Sequence, residues 1–373
     1  MAFGDTVAEI DLSLLSKNLG QVQKRVGKRP IIAVVKANAY GHGAVATAKH
    51  LIKSSRQVAM LGVASLDEGI VLREAGIKAP ILLMTGFAVN RIKEVLAYHL
   101  TPAVFDVSSL SALSRYAKKS CCGICVHLKV DTGMGRLGIP PHEVPEFLQK
   151  ADDAGIEVEG IFSHFAEADL SDLSYAREQS TKLKVLRAAF SLQAMSQSPF
   201  FHLANSAAIL QLPLAYMDMV RPGLMLYGYS PVQKNVSGLS PILSLKSRVI
   251  SIKKVPAGTS ISYGRTFFTK RETTVAVIGI GYADGYPRSL SNCGEMIAKG
   301  HRVKVIGRVC MDMTMLDVTK VPDLSVGDFV TVIGKEGKAA VWADDLAKKT
   351  NTIPYEILCG LKGNIPRVYV KST

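Results

Sequence analysis

The chain has 373 residues, of which 48% are hydrophobic and 20% are charged, and this composition excludes an intrinsically disordered protein. The formal net charge is +14, but the basic residues are scattered, so we expect small anionic ligands and no nucleic-acid partner. No apolar stretch reaches the roughly 18–20 residues that span a bilayer, and the acidic N-terminal segment does not resemble a signal peptide. These features predict a cytoplasmic protein that needs no membrane.

Residues 1–236 alternate short apolar runs with amphipathic segments. Asp11 is placed to cap a helix, and Ser65-Leu-Asp-Glu68 is a capping box. The predicted strands are Ile31–Lys36, Leu61–Ala64, Ile81–Met84, Thr101–Phe105, Ile124–Val130, Val158–Ser163, Phe201–Ala204 and Met219–Leu226. Apolar strands separated by helices indicate a parallel sheet covered on both faces. Eight such units predict a closed (β/α)₈ barrel, with an open doubly wound sheet as the alternative.

Residues 237–373 follow a different pattern, in which β-rich runs are separated by turns and few long helices intervene. The runs are Ser247–Val255, Thr259–Phe267, Thr273–Tyr282, Arg302–Val318 and Asp328–Ile333. Such a pattern is typical of a mainly antiparallel β domain. The sequence therefore predicts two domains, 1–236 and 237–373.

The six cysteines do not form a metal-binding pattern. Cys122 and Cys125 have the C-x-x-C spacing of a zinc ligand pair, but no second pair completes a site. Most of the cysteines lie in apolar, strand-like runs. We therefore expect reduced thiols and no metal.

The segment Gly133-Met-Gly-Arg-Leu-Gly138 matches the G-x-G-x-x-G pattern of dinucleotide-binding proteins. That pattern requires a helix directly after the glycines, with its N-terminus at the pyrophosphate. Here Pro140 and Pro141 follow instead, and they disfavour such a helix. The motif therefore predicts a glycine-rich turn and no nucleotide site.

Polar residues lie where the predicted barrel strands end, which is where barrel enzymes carry their reactive groups. Lys36 ends the first strand, and an apolar environment favours the neutral lysine that attacks an aldehyde. A surface lysine is the alternative, but Tyr40 and two glycines just beyond it suit close approach of a ligand. Of the other polar groups, His164 ends the sixth strand and Asn205-Ser206 follows the seventh, while Arg221 lies early in the eighth. Together these positions predict one site.

Several segments resemble, in order and spacing, those of the bacterial alanine racemases. They are Val34–Gly43, Lys129–Gly138, Arg221–Gly228, Gly281–Arg288, Arg308–Asp312 and Tyr355–Gly360. The resemblance covers nearly the whole chain. It implies a homodimer with shared active sites that uses pyridoxal phosphate to interconvert L- and D-alanine, supplying D-alanine for peptidoglycan.

The resemblance also implies a role for each site residue. Lys36 binds the cofactor covalently and serves one face of the substrate, while Tyr263 of the second subunit serves the other. Arg221 faces the pyridine nitrogen and is oriented by His202. His164 belongs to the hydrogen-bonding network behind Tyr263. The residues implied for the phosphate and its surroundings are Tyr40, Asn205, Ser206, Gly223, Leu224 and Tyr355.

For the substrate carboxylate, the resemblance implies Arg136 and the backbone N–H of Met311, with Asp312 beside it. Lys129 matches a position that family members carry as a carbamate, an anion that orients Arg136; an unmodified lysine is the alternative. The sequence departs from the family at Pro354 and Met313, which bears on substrate range.

Three other functions fit parts of the pattern. One is a racemase of broader range that also accepts serine, and another is a decarboxylase of the same barrel and cofactor class. The third is a carrier of pyridoxal phosphate without catalytic activity. A carrier would not need the second domain or Tyr263, and the pair Lys36 and Tyr263 favours racemisation of a small amino acid.

Overall fold

The computed structural model describes residues 6–120, 123–191, 198–232 and 236–371. It divides into two compact units by its internal contacts. The barrel unit comprises Ser16–Ala39 and Ala44–Leu239, and the β unit comprises Met1–Leu15, Tyr40–Gly43 and Ser240–Thr373. Cys121 and Cys122 lie outside the described residues.

The described chain begins with β1 (Val7–Asp11), which is followed by α1 (Leu12–Val26). The carboxylate of Asp11 accepts hydrogen bonds from the N–H groups of Ser13 and Leu14, at 2.8 and 3.1 Å. These N–H groups have no partner within the helix, so the carboxylate satisfies them. The predicted cap at Asp11 is confirmed.

Within the described residues, eight parallel strands close into a barrel. They are β2 (Ile31–Val34), β3 (Val58–Val63), β4 (Ile81–Leu83), β5 (Thr101–Val104), β6 (Ile124–Lys129), β7 (Ile156–Phe162), β8 (Phe200–Asn205) and β9 (Met219–Arg221). The barrel closes because β2 pairs with both β3 and β9. The predicted (β/α)₈ architecture is confirmed, and the open sheet is excluded.

Helices follow the barrel strands. They are α3 (Ala44–Ser54), α4 (Leu66–Glu74), α5 (Ile92–Ala97), α6 (Val107–Ser120), α7 (Val144–Asp153), α8 (Ser174–Ser191) and α9 (Ser206–Gln211), whereas α2 (Lys36–Tyr40) is a left-handed turn. The start of α4 is the predicted capping box, since the Ser65 and Glu68 side chains each accept a hydrogen bond from the other's backbone N–H. Inside the barrel, Ile32, Leu82 and Met219 belong to one apolar cluster.

The β unit is built on one large, mainly antiparallel sheet. Besides β1, the strands of this sheet are β10 (Leu243–Val255), β13 (Thr273–Ile278), β14 (Glu295–Ala298), β15 (His301–Val305), β16 (Thr314–Asp317), β17 (Phe329–Glu336), β18 (Ala339–Val341) and β19 (Arg367–Val370). Strands β11 (Ser260–Ile261) and β12 (Phe267–Phe268) form a separate two-stranded sheet. Two short helices, α10 (Ala343–Thr350) and α11 (Pro354–Cys359), complete it. The predicted β-rich character of this region is confirmed.

Strand β1 is part of this sheet, although it precedes the barrel in the chain. It pairs antiparallel with β10 and parallel with β19. The contacts also place the division of the chain between Leu239 and Ser240. The sequence analysis assigned residues 1–236 to one domain because it followed chain order, and it did not detect that β1 completes a sheet formed more than 230 residues later.

Two absences concern only the part of the chain that the structure describes. There, no helix is long and apolar enough to cross a membrane. Nor do three or more His, Cys, Asp or Glu side chains come together as a metal site.

Candidate active site

Lys36 begins an unusual turn beyond the first barrel strand. The strand ends at Val34, so the prediction that Lys36 itself ends the strand is wrong. Residues 37–40 all have left-handed backbone angles, with φ between 51° and 54°. This conformation costs roughly 1–2 kcal/mol for each residue with a side chain. Such strain is typical of functional sites.

Hydrogen bonds within the barrel unit hold this turn. The Ala37 N–H donates to the Glu68 carboxylate at 2.6 Å, and the Ala44 N–H donates to the Asn38 side chain at 2.8 Å. The Ala39 N–H donates to the carbonyl of Val35 at 2.8 Å. The backbone after Lys36 is therefore fixed by the residues around it.

A cluster of basic groups surrounds the carboxyl ends of the barrel strands: Lys36, Lys129, Arg136, His164 and Arg221. Burial, followed by the charges of Arg221, Arg136 and Lys36, lowers the pKa of Lys129 to about 8. Burial and the same cations, with Lys129, lower the pKa of His164 to about 3. Each basic group therefore disfavours protonation of its neighbours, and an anionic ligand would relieve this repulsion.

Arg221 ends β9 and is almost completely buried. Its Nη1 donates to Nδ1 of His202 at 2.7 Å and to the His202 carbonyl at 2.8 Å. Its Nη2 donates to the carbonyls of Ser163 and Leu203, at 2.6 and 3.1 Å. Burial lowers the pKa of Arg221 to about 9. The two residues that the sequence paired, Arg221 and His202, are thus directly hydrogen-bonded.

Ser206 lies between the end of β8 and the loop after β9. Its hydroxyl oxygen accepts hydrogen bonds from the N–H groups of Gly223 and Met225, at 2.9 and 3.3 Å. Because the oxygen already accepts twice, its hydrogen is directed elsewhere and suits an anionic acceptor. Asn205 has a structural task as well, since its carbonyl oxygen caps α9 through the Ala208 N–H. Leu224 begins the 3₁₀ turn that follows, where the sequence analysis had extended the strand.

Arg136 is exposed on the glycine-rich loop between β6 and α7. The Asp131 carboxylate accepts hydrogen bonds from the N–H groups of Gly133, Met134 and Gly135, at 2.8 to 2.9 Å. The loop ends in a short 3₁₀ turn at Pro141–Glu143 and not in the helix of a dinucleotide site. The carboxylate that fills this loop occupies the N–H groups that would bind a phosphate.

The remaining predicted site residues belong to the β unit. The rings of Tyr40 and Tyr355 lie 5.8 Å apart. Tyr263 is 71% exposed and Met311 is 54% exposed, and Asp312 is also exposed. The structure thus brings Tyr40 and Tyr355 together and displays Tyr263 and Met311 on the surface of this unit.

The loop that carries Tyr263 is constrained by its backbone. Ser262 has φ 68° and ψ −177°, a region that is almost restricted to glycine. Its hydroxyl donates to the Arg308 carbonyl at 2.7 Å. On the neighbouring loop, the Ala283 N–H donates to the Met311 carbonyl at 2.9 Å. These contacts fix the backbone on either side of an exposed phenol.

Comparison with known proteins identifies the family. The family "Alanine racemase, N-terminal domain" matches residues 10–231, and "Alanine racemase, C-terminal domain" matches residues 242–369. The alanine racemase of Halothermothrix orenii is 44% identical over 369 residues, which cover 98% of this chain and 96% of the relative. The chain belongs to the alanine racemase family. This is a family of pyridoxal-phosphate-dependent isomerases.

Solved alanine racemases have the same fold. The structure from Clostridium difficile 630 has a TM-score of 0.91 and 36% identity, and the match covers 98% of this chain and 96% of that one. The structure from Bartonella henselae, which contains covalently bound pyridoxal phosphate, has a TM-score of 0.88 and 29% identity, with 98% and 99% coverage.

The donor set in the barrel unit of this alanine racemase family member fits that cofactor. Pyridoxal phosphate carries a phosphate and an aldehyde. The barrel provides a lysine amine for the aldehyde, a surplus of cations for the negative charge, and the Ser206 hydroxyl. Burial and, after it, the charges of the neighbouring cations lower the pKa values of Lys129 and His164, so a bound anion would offset both causes.

Some polar residues of the barrel interior are not among the predicted site residues. His127 contacts His202, and the carboxylate of Glu159 contacts His127. Phe162 stacks on the His202 ring with centroids 4.9 Å apart. One signal was available, because His127 and Lys129 are two residues apart and side chains with that spacing share one face of a strand. A histidine such as His127 inside an apolar strand is therefore as good a candidate site residue as Lys129, which ends the same strand.

Proposed function

We propose that this protein interconverts L-alanine and D-alanine with pyridoxal phosphate and so supplies D-alanine for peptidoglycan. The observation that carries the proposal is the group of Lys36, Lys129, Arg136, His164 and Arg221 around the carboxyl ends of the barrel strands. The position is the one at which barrel enzymes catalyse their reactions. The charge of the group suits a phosphorylated cofactor and a substrate with a carboxylate.

In this proposal, the barrel residues hold and orient the cofactor. Lys36 attaches to it covalently, and the hydroxyl of Ser206 and the N–H group of Leu224 bind its phosphate. Gly223 contributes by donating its N–H to the Ser206 oxygen, which directs the hydroxyl hydrogen toward the phosphate. Tyr40 and Tyr355 contribute phenol groups to the same phosphate, and Asn205 contributes its amide. Uncharged donors of this kind bind a dianion without competing for the aldehyde.

The bound cofactor supplies an electron sink that makes the hydrogen on the substrate Cα acidic. Arg221 faces the pyridine nitrogen in this proposal. Its four hydrogen bonds to protein acceptors keep the guanidinium in place and orient it through His202. A cation at this position disfavours protonation of that nitrogen and so limits the withdrawal of electrons. We expect this limit to suppress transamination.

Racemisation requires a proton donor on each face of Cα. Lys36 Nζ removes or returns a proton on one face, and the hydroxyl of Tyr263 from a second subunit acts on the other. Because each active site then needs residues of two subunits, the protein is a homodimer with shared active sites. The exposure of Tyr263 on a constrained loop supports this assignment, because the phenol is presented rigidly to something outside its own unit. His164 and Arg221 supply the hydrogen-bonding network behind it.

The substrate carboxylate is bound by Arg136 and by the backbone N–H of Met311, with Asp312 beside it. Lys129 assists by orienting Arg136. Because its pKa is lowered to about 8, part of Lys129 is neutral at neutral pH, and the neutral amine is the form that carbon dioxide carbamylates. A carbamate there would replace one of the clustered cations with an anion.

One assay tests the proposed reaction against the alternatives. Purified protein with pyridoxal phosphate and L-alanine should form D-alanine, and the reverse reaction should reach the same equilibrium. Release of carbon dioxide from basic amino acids without D-alanine formation would identify a decarboxylase. Faster turnover of serine would identify a racemase of broader range, and binding of the cofactor without turnover would identify a carrier.

We further propose that the protein acts in the cytoplasm. Cys125, Cys293 and Cys310 carry free thiols, and Cys293 is exposed. Thiols persist in the reducing cytoplasm, whereas oxidising compartments convert them to disulfides. Fractionation of cells that express the tagged chain should recover it with cytoplasmic markers.

A further inference from the structure

A continuous chain of polar contacts, two hydrogen bonds and one histidine–carboxylate contact, crosses the barrel unit and ends on Arg221. Nη1 of Arg221 lies 2.7 Å from Nδ1 of His202, and Nε2 of His202 lies 2.8 Å from Nδ1 of His127. Nε2 of His127 lies 3.2 Å from Oε1 of Glu159. Both imidazole rings are buried, whereas the Glu159 side chain is 29% exposed. The chain therefore connects a buried guanidinium with a carboxylate that reaches solvent.

The Arg221 guanidinium at one end can only donate hydrogen bonds and the Glu159 carboxylate at the other can only accept them. Together they fix which atom donates in each contact between them. A guanidinium only donates, so Nδ1 of His202 accepts and its proton is on Nε2. That proton is donated to Nδ1 of His127, whose own proton is then on Nε2. The last proton is donated to Glu159, because a carboxylate only accepts. Each ring nitrogen has one partner, and each ring has one allowed neutral tautomer.

The backbone of β7 is shaped around this chain. In the pairing of β6 with β7, Val126 lies opposite Val158 and His127 lies opposite Gly160. Glu159 is therefore an additional residue in β7, a bulge of the kind that redirects a side chain. A Cβ atom on Gly160 would come within 2.5 Å of Nδ1 of His127, so the glycine provides the space for that ring.

The aromatic ring of Phe162 supports the chain from the side. It stacks on His202 with an angle of 4° between the ring planes, and it meets His127 edge-on at 6.4 Å. The same ring lies 5.3 Å from the guanidinium carbon of Arg221. His202, His127 and Arg221 thus all pack on the side chain of Phe162. In the described residues no ion pair joins Arg221 to an acidic group, so this chain is its connection to a carboxylate.

We propose that Glu159 and His127 are positioning residues that fix the tautomer of His202 and thereby hold the Arg221 guanidinium oriented and charged. We define the relay as Glu159, His127 and His202. Its partly exposed carboxylate sets the position of the proton on each imidazole ring, and the last ring accepts a hydrogen bond from the buried Arg221 guanidinium. Its effect on catalysis rests on the proposed function, in which Arg221 faces the cofactor. The tautomer itself does not depend on that function.

Nitrogen-15 NMR of the histidine-labelled holoenzyme tests the tautomers directly. In both His202 and His127 the Nε2 nitrogen should carry a proton, and in both the Nδ1 nitrogen should accept a hydrogen bond. Their signals are assigned by their loss in the variants His202→Gln and His127→Phe. Glu159→Leu removes the final acceptor and should shift the His127 and His202 resonances. Glu157→Leu is the matched control, because Glu157 is an exposed carboxylate on the same strand that contacts Cys125 instead. A proton on Nδ1 of His202, or equal spectra for the two variants, would overturn the proposal.

Kinetics on the same proteins test the consequence for catalysis. Glu159→Leu and Gly160→Ala should each lower kcat for alanine roughly tenfold while KM stays near its wild-type value, by analogy with other partners that orient a functional histidine. The loss is limited because three backbone carbonyls still hold Arg221. Glu159→Gln keeps an acceptor and should restore the tautomers and part of kcat.

The two measurements separate the two proposals. Wild-type protein without racemase activity would refute the proposed function, and the NMR result would still decide the relay. Normal kcat in both Glu159→Leu and Gly160→Ala would refute the positioning role while leaving the proposed function intact. If Gly160→Ala fails to fold, Glu159→Leu at the partly exposed end of the chain still decides the question.

Discussion

The barrel unit buries several of its polar site residues, whereas the β unit exposes several of its site residues. In the barrel unit, Arg221 and His202 are buried and both ring nitrogens of His202 are hydrogen-bonded to protein. In the β unit, Tyr263 and Met311 are exposed on loops whose backbone is fixed instead. Buried polar groups cost free energy when one partner is lost, and exposed ones do not. Substitutions in the barrel should therefore change stability and activity together, whereas substitutions of Tyr263 should change activity alone.

Loss of the barrel lysine should have the largest effect of all. In Lys36→Ala, we expect racemisation to fall by at least about 10⁴-fold, because one residue supplies both covalent attachment and an acid–base group. Borohydride reduction of wild-type protein followed by peptide mapping should place the pyridoxyl group on Lys36. Lys184→Ala, which removes an exposed lysine of α8, is the control. A pyridoxyl group on Lys129 would contradict the assignment.

Tyr263→Phe should be nearly as damaging but without cost to stability. We expect a loss of about 10²–10⁴-fold, the range for one acid–base group. The fold of the single chain loses no packing, because the side chain is 71% exposed within it. The two reaction directions should suffer unequally. Hydrogen exchange at Cα should survive for the isomer whose proton Lys36 removes. Tyr98→Phe, which removes a phenol bonded to Glu74, is the control.

Mixing the two inactive variants tests whether the units of different chains cooperate. Lys36→Ala and Tyr263→Phe should together regain activity, because each mixed dimer has one intact site. Activity of the mixture is compared with that of each variant alone, after subunit exchange is demonstrated by a mass-tagged chain. Exchange without recovered activity would mean that each chain completes its own site.

The buried His164 should make the protein sensitive to acid. The pKa of His164 falls from 6.5 in the unfolded chain to about 3 in the fold. Below pH 6.5 the unfolded chain therefore binds a proton on His164 that the folded chain does not bind. The free energy of unfolding declines as the pH falls toward 3. This decline amounts to as much as about 4 kcal/mol. His164→Gln should flatten it when the free energy of unfolding is measured by urea titration between pH 7 and 4.

His142→Gln is the control for the acid experiment, since His142 is an exposed histidine in the 3₁₀ turn at Pro141–Glu143. If His164→Gln and the wild type lose stability in parallel, the repulsion among the barrel cations does not determine acid sensitivity.

The smallest effect is expected at Ser262. Glycine relieves the backbone strain of about 1–3 kcal/mol at this position, and it removes a hydrogen bond worth about 0.5–1.5 kcal/mol. The melting temperature of Ser262→Gly should therefore change little, whereas racemisation should fall several-fold because Tyr263 is held less firmly. A large loss of stability would show that the hydrogen bond to Arg308 outweighs the strain. Ser262→Ala, which keeps the strain and removes only the hydrogen bond, separates the two terms.

Much of the barrel followed from local patterns. All eight predicted strand runs overlap a barrel strand, and the caps at Asp11 and Ser65 are present. These features depend on apolar runs and on contacts within a few residues, which a sequence displays directly. The errors occur at the ends of strands. Lys36 lies beyond its strand in a left-handed turn that depends on the distant carboxylate of Glu68.

The β unit was predicted less completely for the same reason. Arg302–Val318 is not one strand but β15 and β16 separated by a loop, and β14, β18 and β19 were missed. Strands of three to five residues have too few positions to establish an alternating pattern. Their stability comes from pairing with distant partners, which no local window contains.

The sequence by itself determined the order of the barrel strands, the polar groups near their carboxyl ends and the family resemblance, because each depends on residue types at fixed spacing. Only the tertiary structure joined β1 to β10, and only it connected Glu159, His127 and His202 to Arg221. That connection depends on a bulge and on the space above Gly160. Both arise from the register between neighbouring strands, which is set by packing of the whole barrel and leaves no signature in any single segment.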